Sequence, residues 1–354
     1  MTTTVAVRAA ERAQAVTAPL TSAARFLVLT VRPGGEPAVR ALLPDLAGLR
    51  RAVGFRAPRA ELSCVTGIGS DLWDRLFAGP RPAELHPFRE LRGPRHTAPA
   101  TPGDLLLHLR AERADACFEL ASQILKRLDG AAEPADETIG FEYFDHRDLT
   151  GFVDGTENPE GAAADRAALI GDGPFAGGSY VIVQKYRHDH AAWEALATEQ
   201  QEGAIGRTKL TDIELTGDAQ PPDSHVSLTS LDDDANGEPQ EILRHNMPYA
   251  AHLGEDVGTY FIGYCRTPAV TEEMLRNMFL GRGAATHDRL LDFATAVTGG
   301  LFFVPPADLL ADPPPAAAAR AVPPNGDGSL GIGSLKGLTS TPPPEPDGPG
   351  RNPY

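Results

Sequence analysis

The segment Gly151-Phe152-Val153-Asp154-Gly155-Thr156-Glu157-Asn158-Pro159 holds a carboxylate on a glycine-flanked turn between apolar neighbours. Gly151 and Gly155 admit backbone conformations that other residues avoid and let a flat ligand approach the main chain. A carboxylate kept in a partly apolar pocket can exchange protons near neutral pH, so Asp154 is placed as an acid or base would be. The plainer alternative is an Asx-turn residue that caps Gly155 and Thr156. Further along, Arg244 lies between apolar Leu243 and the run Met247-Pro248-Tyr249, which argues against an ordinary surface arginine. Asn246 is two residues on and shares a face with Arg244 if the chain is extended there. An acid/base, a fixed cation and an amide together suit proton transfer to or from a group on which negative charge develops.

The elements that must position these residues read as two similar α+β units. Phe26–Val31 is a strand, and Ala38–Val53 carries Val39, Leu42, Leu46, Leu49 and Val53 at helical spacing. Glu61–Thr66 and Leu105–Leu109 read as strands. Leu72, Trp73, Leu76 and Phe77 mark a short helix, and Ala114–Leu128 an amphipathic one. The pattern recurs with a strand at Tyr180–Gln184, a helix over Ala191–Gln201, a strand at Gly258–Tyr264 and a helix over Thr271–Leu280 with Thr271 at its N-cap. The fold class is α+β, a duplicated ferredoxin-like architecture with helices over one face of each sheet. The pattern alone leaves the strand pairing open.

Composition removes several function classes. The chain has 354 residues, enough for two ordinary domains, and 48 acidic against 32 basic residues give a formal charge of −16. That balance, with no basic stripe, excludes a nucleic-acid partner. Cys64, Cys117 and Cys265 are scattered among apolar neighbours without a C-x-x-C pair, and read as buried reduced thiols. The N-terminal stretch has no continuous apolar core, and its first apolar run is too short for a signal peptide or a membrane span. The expectation is a cytoplasmic protein with no membrane association. No Walker loop, dinucleotide fingerprint or zinc-spaced cluster competes.

Three further motifs follow the Asp154 turn: Ser224-His225-Val226-Ser227-Leu228, Leu243-Arg244-His245-Asn246-Met247-Pro248-Tyr249 and Gly258-Thr259-Tyr260-Phe261-Ile262-Gly263-Tyr264. In this order the set resembles the dye-decolourising peroxidases, specifically the bacterial B-type (P-class) haem enzymes, from about Leu20 to Pro306. The resemblance implies two ferredoxin-like halves with antiparallel sheets, related to the dimeric α+β barrels. These are an N-terminal domain over 20–148 and a haem-binding domain over 149–312. It also implies one haem b per chain, and without a C-x-x-C-H motif that haem is held non-covalently.

Residue by residue, the resemblance makes His225 the iron ligand, a role imidazole suits. His245 is the nearest rival, but its neighbours match positions on the peroxide side. Asp154 becomes the proton shuttle, Arg244 the cation that also pairs with a propionate, and Asn246 the amide that orients peroxide. Asp288 matches the acidic partner of the ligating histidine better than Asp292 does. Gly155, Thr156 and Glu157 match haem contacts, and Phe261 and Phe293 match apolar residues of the pocket wall. Arg207 could reach a propionate or be a solvated loop charge. Trp73, Trp193 and the tyrosines could relay electrons from bulky donors at the surface.

The implied activity is reduction of hydrogen peroxide coupled to one-electron oxidation of dyes, phenols or similar organic donors. Two other readings are iron release from haem and a non-catalytic haem-carrying cargo; the latter has no use for a proton shuttle beside a fixed cation. Residues 313–354 contain 11 of the 32 prolines and read as a disordered tail. Within it, residues 327–338 space Leu330, Ile332, Leu335 and Leu338 by Gly and Ser. This segment resembles the peptide by which such peroxidases, as homo-oligomers, are loaded into encapsulin shells.

Overall fold

The computed structural model describes residues 9–252 and 255–317. Twelve strands occur among them. The first half supplies β1 (Ala23–Val31), β2 (Ser63–Gly69), a small hairpin of β3 (Leu91–Arg92) and β4 (Thr97–Ala98), β5 (Leu105–Ala111) and β6 (Ala132–Phe141). The second supplies β7 (Ser179–His188), β8 (Leu243–Arg244), β9 (Met247–His252), β10 (Asp256–Cys265), β11 (Ala294–Ala296) and β12 (Gly300–Val304). In the first half the sheet order is β2-β5-β1-β6; in the second it is β12-β7-β10-β9. Numbered within each half, both orders follow the ferredoxin-like permutation 4-1-3-2 in one direction or the other. The duplication read from the sequence is therefore present in the strand order.

The two sheets do not stay separate. β12 pairs with β2 and β6 with β9, so eight antiparallel strands close into one ring. An eight-stranded ring is just wide enough to be filled by its own side chains. Phe26, Val28, Val65, Leu106, Val181, Tyr260, Ile262 and Phe302 fill it, with Phe26 stacked on Tyr260 at 4.1 Å and on His108 at 4.7 Å. The alternate residues of the same strands, such as Leu27, Leu29, Leu107 and Ile182, face outward into a second core shared with the helices. Both seams need a residue without a side chain. A Cβ on Gly140 would lie 2.7 Å from Met247 Cβ, and one on Gly67 would lie 2.9 Å from Phe302 Cβ.

The long helices Glu36–Arg56 and Ala114–Arg127 cover the first half, and Pro268–Leu280 covers the second. Two boundaries differ from the periodicity. The last helix begins at Pro268 with Thr267 as its N-cap, whose Oγ1 accepts from Ala269 N at 3.3 Å, while Thr271 is buried inside it and hydrogen-bonds Cys265 Sγ. Proline at the first helical position needs no N–H, which moves the start one turn earlier. The expected helix over 191–201 is two, His190–Glu194 and Thr198–Ile205. Cys117 and Cys265 are buried and Cys64 half-buried, all as free thiols.

The proline content places 313–317 in the tail, yet these residues lie against the first half. Arg40 donates to Pro314 O at 2.8 Å, Ala78 N donates to Pro315 O at 2.8 Å, and Ala316 bridges to Phe77. Proline keeps its carbonyl as an acceptor, so backbone hydrogen bonds can hold a proline-rich run in place. The segment 327–338 lies outside the described residues.

Candidate active site

β8 and β9 are two parts of one strand opposite β10, and their register is continuous across His245 and Asn246. At this break the ladder is altered. His245 N donates to Ile262 O at 3.0 Å, but Ile262 N donates to the side-chain Oδ1 of Asn246, also at 3.0 Å. Asn246 is thereby fixed by the backbone of β10, and its Nδ2 donates to Asp154 Oδ1 at 3.3 Å. Asp154 is set from the other side by its own N–H, which donates to His146 O at 2.9 Å.

Strand alternation separates Arg244 and Asn246 from His245. Arg244 lies opposite Gly263, on the outer face of the barrel, where the Phe261 ring packs so closely that a Cβ on Gly263 would lie 2.8 Å from its Cζ. His245 points into the barrel, 4 % exposed, and accepts at Nδ1 from Arg110 Nη1 at 2.8 Å. Burial, with the Arg110 charge, drives its pKa far below the usual histidine range. His245 is committed to that interior network.

One residue of the Asp154 motif has a role that spacing did not reveal. Asn158 clamps Arg244 through its main chain, Nδ2 donating to Arg244 O at 2.7 Å and Oδ1 accepting from Arg244 N at 2.9 Å. A side-chain amide can imitate a peptide in this way. It links the Asp154 turn to the Arg244 strand. Gly155 and Gly151 have φ of +87° and +89°, which the turn requires. Asp154, Gly155, Asn158, Arg244 and Asn246 line one pocket, with Tyr143, His146 and Arg147 on its rim.

Asp148 is a second carboxylate beside this turn. Burial pushes its pKa up to about 6; hydrogen bonds from Thr150 oppose the shift and the Asp154 charge adds to it. A raised carboxyl pKa favours the folded state while the group is protonated. That stabilisation is full below about pH 4 and is lost as the pH rises through about 6. Asp148→Asn is accordingly expected to flatten the fall in melting temperature between pH 4 and 7 and to raise it by about 2–4 °C at pH 7. Thermal scans across that range check it; a variant whose melting temperature falls as steeply as the parent's contradicts the assignment.

The second cluster centres on His225, at the start of the short helix His225–Thr229 that Ser224 caps. Its Nδ1 lies 2.6 Å from Asp288 Oδ2, and Asp288 is fully buried. The other Asp288 oxygen accepts from Leu290 N at 2.9 Å. Asp292 does not approach His225; it bonds His96 and His287 instead. His225 Nε2 has no hydrogen-bond partner among the described residues.

Phe261 lies opposite Gln184 on the outer face of the sheet, the face that also carries Arg244 and Asn246. Phe293 packs edge-on against Trp193, ring centroids 5.3 Å apart. Thr156, Glu157 and Arg207 form a group apart from the pocket. Arg207 donates to Glu157 Oε1 and to Asp212 Oδ1, each at 2.8 Å, and Thr156 Oγ1 donates to Asp212 Oδ2 at 2.6 Å. The Arg207 guanidinium is thus engaged by carboxylates. Trp73 and Trp193 are 1 % and 3 % exposed, so neither presents a ring at the surface for direct contact with a bulky donor.

These residues fit a haem with an imidazole ligand. One nitrogen of His225 is engaged by a buried carboxylate and the other is unengaged, the arrangement usual for a metal-ligating histidine. Arg244 Nε and Gln184 Nε2 are buried polar atoms on the same sheet face without a hydrogen-bond partner, a costly state that a polar ligand would relieve.

Barrel and donor set together define a peroxidase built on a closed α+β barrel. Residues 13–142 match the family profile "Dyp-type peroxidase, N-terminal", and residues 145–309 match "Dyp-type peroxidase, C-terminal". The dye-decolorizing peroxidase of Mycobacterium tuberculosis is 60 % identical over 326 residues, covering 92 % of this chain and 97 % of that protein. Among solved structures, the encapsulated DyP-type peroxidase from Mycobacterium smegmatis superposes with a TM-score of 0.84 at 59 % identity, covering 86 % of this chain and 99 % of the other. A variant of Rhodococcus jostii RHA1 DypB in complex with heme gives 0.81 at 53 % identity, covering 84 % and 98 %. The chain belongs to the Dyp-type peroxidase family.

Proposed function

We propose that the chain is a haem b peroxidase that reduces hydrogen peroxide and oxidises dyes, phenols or similar organic donors by one-electron steps. The observation that carries this reading is the convergence of Asp154, Arg244 and Asn246 on one pocket, together with the paired His225 and Asp288. Haem b, one per chain and held without a covalent link, supplies the iron that exchanges electrons with peroxide and donor. His225 Nε2 would be its protein ligand. Asp288 accepts the Nδ1 proton, fixes the tautomer and increases electron donation from the ring. Asp154 takes a proton from the near oxygen of peroxide and returns it to the far one, where the leaving group needs it. Asn246 Nδ2 holds the Asp154 carboxylate in place and orients peroxide. Arg244 places a fixed positive charge beside the departing oxygen, and its otherwise unpaired Nε can also serve a propionate. Gly155 would contact the haem edge from the pocket and Phe261 and Phe293 would wall it, while Thr156, Glu157 and Arg207 would reach it only if their mutual hydrogen bonds through Asp212 were exchanged.

Product analysis tests the reaction. With peroxide and a dye, the expected result is oxidised dye and intact haem. Free porphyrin and iron would favour iron release, and neither product would favour a carrier.

We further infer an N-terminal domain over 20–148 and a haem-binding domain over 149–312, assembly as a homo-oligomer, and packaging in an encapsulin shell within the cytoplasm. No helix among the described residues is long and apolar enough to cross a membrane. Packaging rests on the Gly/Ser-spaced leucines of 327–338 and on the encapsulated relative from M. smegmatis. A short apolar segment carried on a cargo can dock on a shell wall, and repeated docking sites retain an oligomer by avidity. Removing residues 318–354 is expected to leave turnover and haem content nearly unchanged and to abolish co-purification with a co-expressed shell protein. Full-level loading of the truncated protein, or of the double variant Leu330→Asp with Leu335→Asp, would refute the docking role.

A further inference from the structure

A third group of ligating side chains lies outside the site described above. His96, in the turn between β3 and β4, meets His287 and Asp292 from the segment that follows the helix Pro268–Leu280. His96 Nε2 and His287 Nε2 each lie 3.1 Å from Asp292 Oδ1, the two rings are 5.0 Å apart, and the three ligating atoms fall within 4.8 Å of one another. Ligands about 2.0–2.1 Å from a tetrahedral ion are about 3.3–3.5 Å from each other, so a small outward shift of these atoms suffices to admit one. The far nitrogen of His287 is already engaged, Nδ1 lying 3.0 Å from Thr286 Oγ1. Outer hydrogen bonds of this kind orient metal-binding histidines.

The geometry points to a binding site for one zinc-class divalent cation at His96, His287 and Asp292. Two imidazoles and one carboxylate are the donors such ions prefer over calcium or magnesium, and a water completes the fourth position. The ion would tie the β3–β4 hairpin of the first half to the segment of the second half that carries Asp288, the neighbour of His287. The hairpin is already seated closely there, since a Cβ on Gly93 would lie 1.9 Å from Phe279 O. The competing cation is Arg95, whose Nη1 is 3.7 Å from Asp292 Oδ1; its side chain is 64 % exposed and can turn away into water.

The test uses the full-length, haem-loaded protein after dialysis against a chelator, titrated with zinc by calorimetry and by metal analysis after gel filtration. One zinc per chain is expected, with a rise in melting temperature of about 5 °C at saturation. His96→Ala and Asp292→Asn should each lose the bound zinc and the thermal shift while keeping their haem. Arg95→Ala removes only the competing charge and should tighten binding by about twofold to fivefold, an effect that a misfolded variant would not produce. Failure to retain zinc, retention of one equivalent by both ligand variants, or weaker binding by Arg95→Ala would each overturn the assignment.

Discussion

His225→Ala is expected to strip the protein of most of its haem. The residue is proposed to supply the protein bond to iron, and the nearest rival histidine in sequence, His245, is turned into the barrel and bonded to Arg110. Loss of the ligand should weaken haem retention by about 100-fold or more, since changes even to the outer partners of metal ligands commonly cost about 10–100-fold. Asp288→Asn is the informative companion. It preserves shape and a hydrogen bond but removes the charge facing Nδ1, so haem should stay bound while the iron becomes easier to reduce. Pyridine haemochrome content and a redox titration check both. A His225→Ala protein with full haem and an unchanged axial-histidine spectrum would show the ligand to be elsewhere.

Arg244→Leu is expected to keep haem and slow the reaction with peroxide by about 10³-fold, because a preorganised cation at developing negative charge is commonly worth about 10²–10³. Asp154→Asn should slow the same step less, by about 10²-fold, the lower end for a positioned acid/base. The order has a structural reason. The amide that replaces Asp154 can still be held by Asn246 and can still orient peroxide, whereas leucine leaves no charge at position 244. Asn158→Ala should resemble a mild form of Arg244→Leu, since it frees the Arg244 main chain from its clamp without removing the guanidinium. Stopped-flow mixing with peroxide separates these effects from donor oxidation. Unchanged rates in both Arg244→Leu and Asp154→Asn would mean that this pocket is not where peroxide reacts.

Much of this architecture was legible in the sequence, and the illegible parts have identifiable causes. Strands with one strongly apolar stretch, such as Phe26–Val31 and Leu105–Leu109, were plain. β6 reads Ala-Glu-Pro-Ala-Asp-Glu-Thr-Ile-Gly-Phe and was not, because its outer face is exposed and carries acidic residues. β9 and β12 are short and lie next to glycine or proline, which read as loop. Closure of the barrel depends on two seams with few paired residues, and no local pattern encodes them.

For the site, the period-2 placement of Arg244 and Asn246 on one face is what the β8–β9 register shows. The choice between Asp288 and Asp292 was open because helical spacing would have put both on one face. They instead flank a single 3-10 turn, Asp288 as its N-cap and Asp292 at its end, and so point to different histidines. Asn158 was hidden because its partner, the Arg244 main chain, is 86 residues away.

One haem, ligated by His225, is proposed to react with peroxide at the pocket of Asp154, Arg244 and Asn246. The most direct measurement is the absorption spectrum of the purified protein before and after one equivalent of hydrogen peroxide, followed by an organic donor. The expected result is a ferric haem spectrum that changes fully with one equivalent per chain and returns in two one-electron steps as donor is added. A spectrum indifferent to peroxide, or one that bleaches in proportion to peroxide without returning on addition of donor, would contradict it.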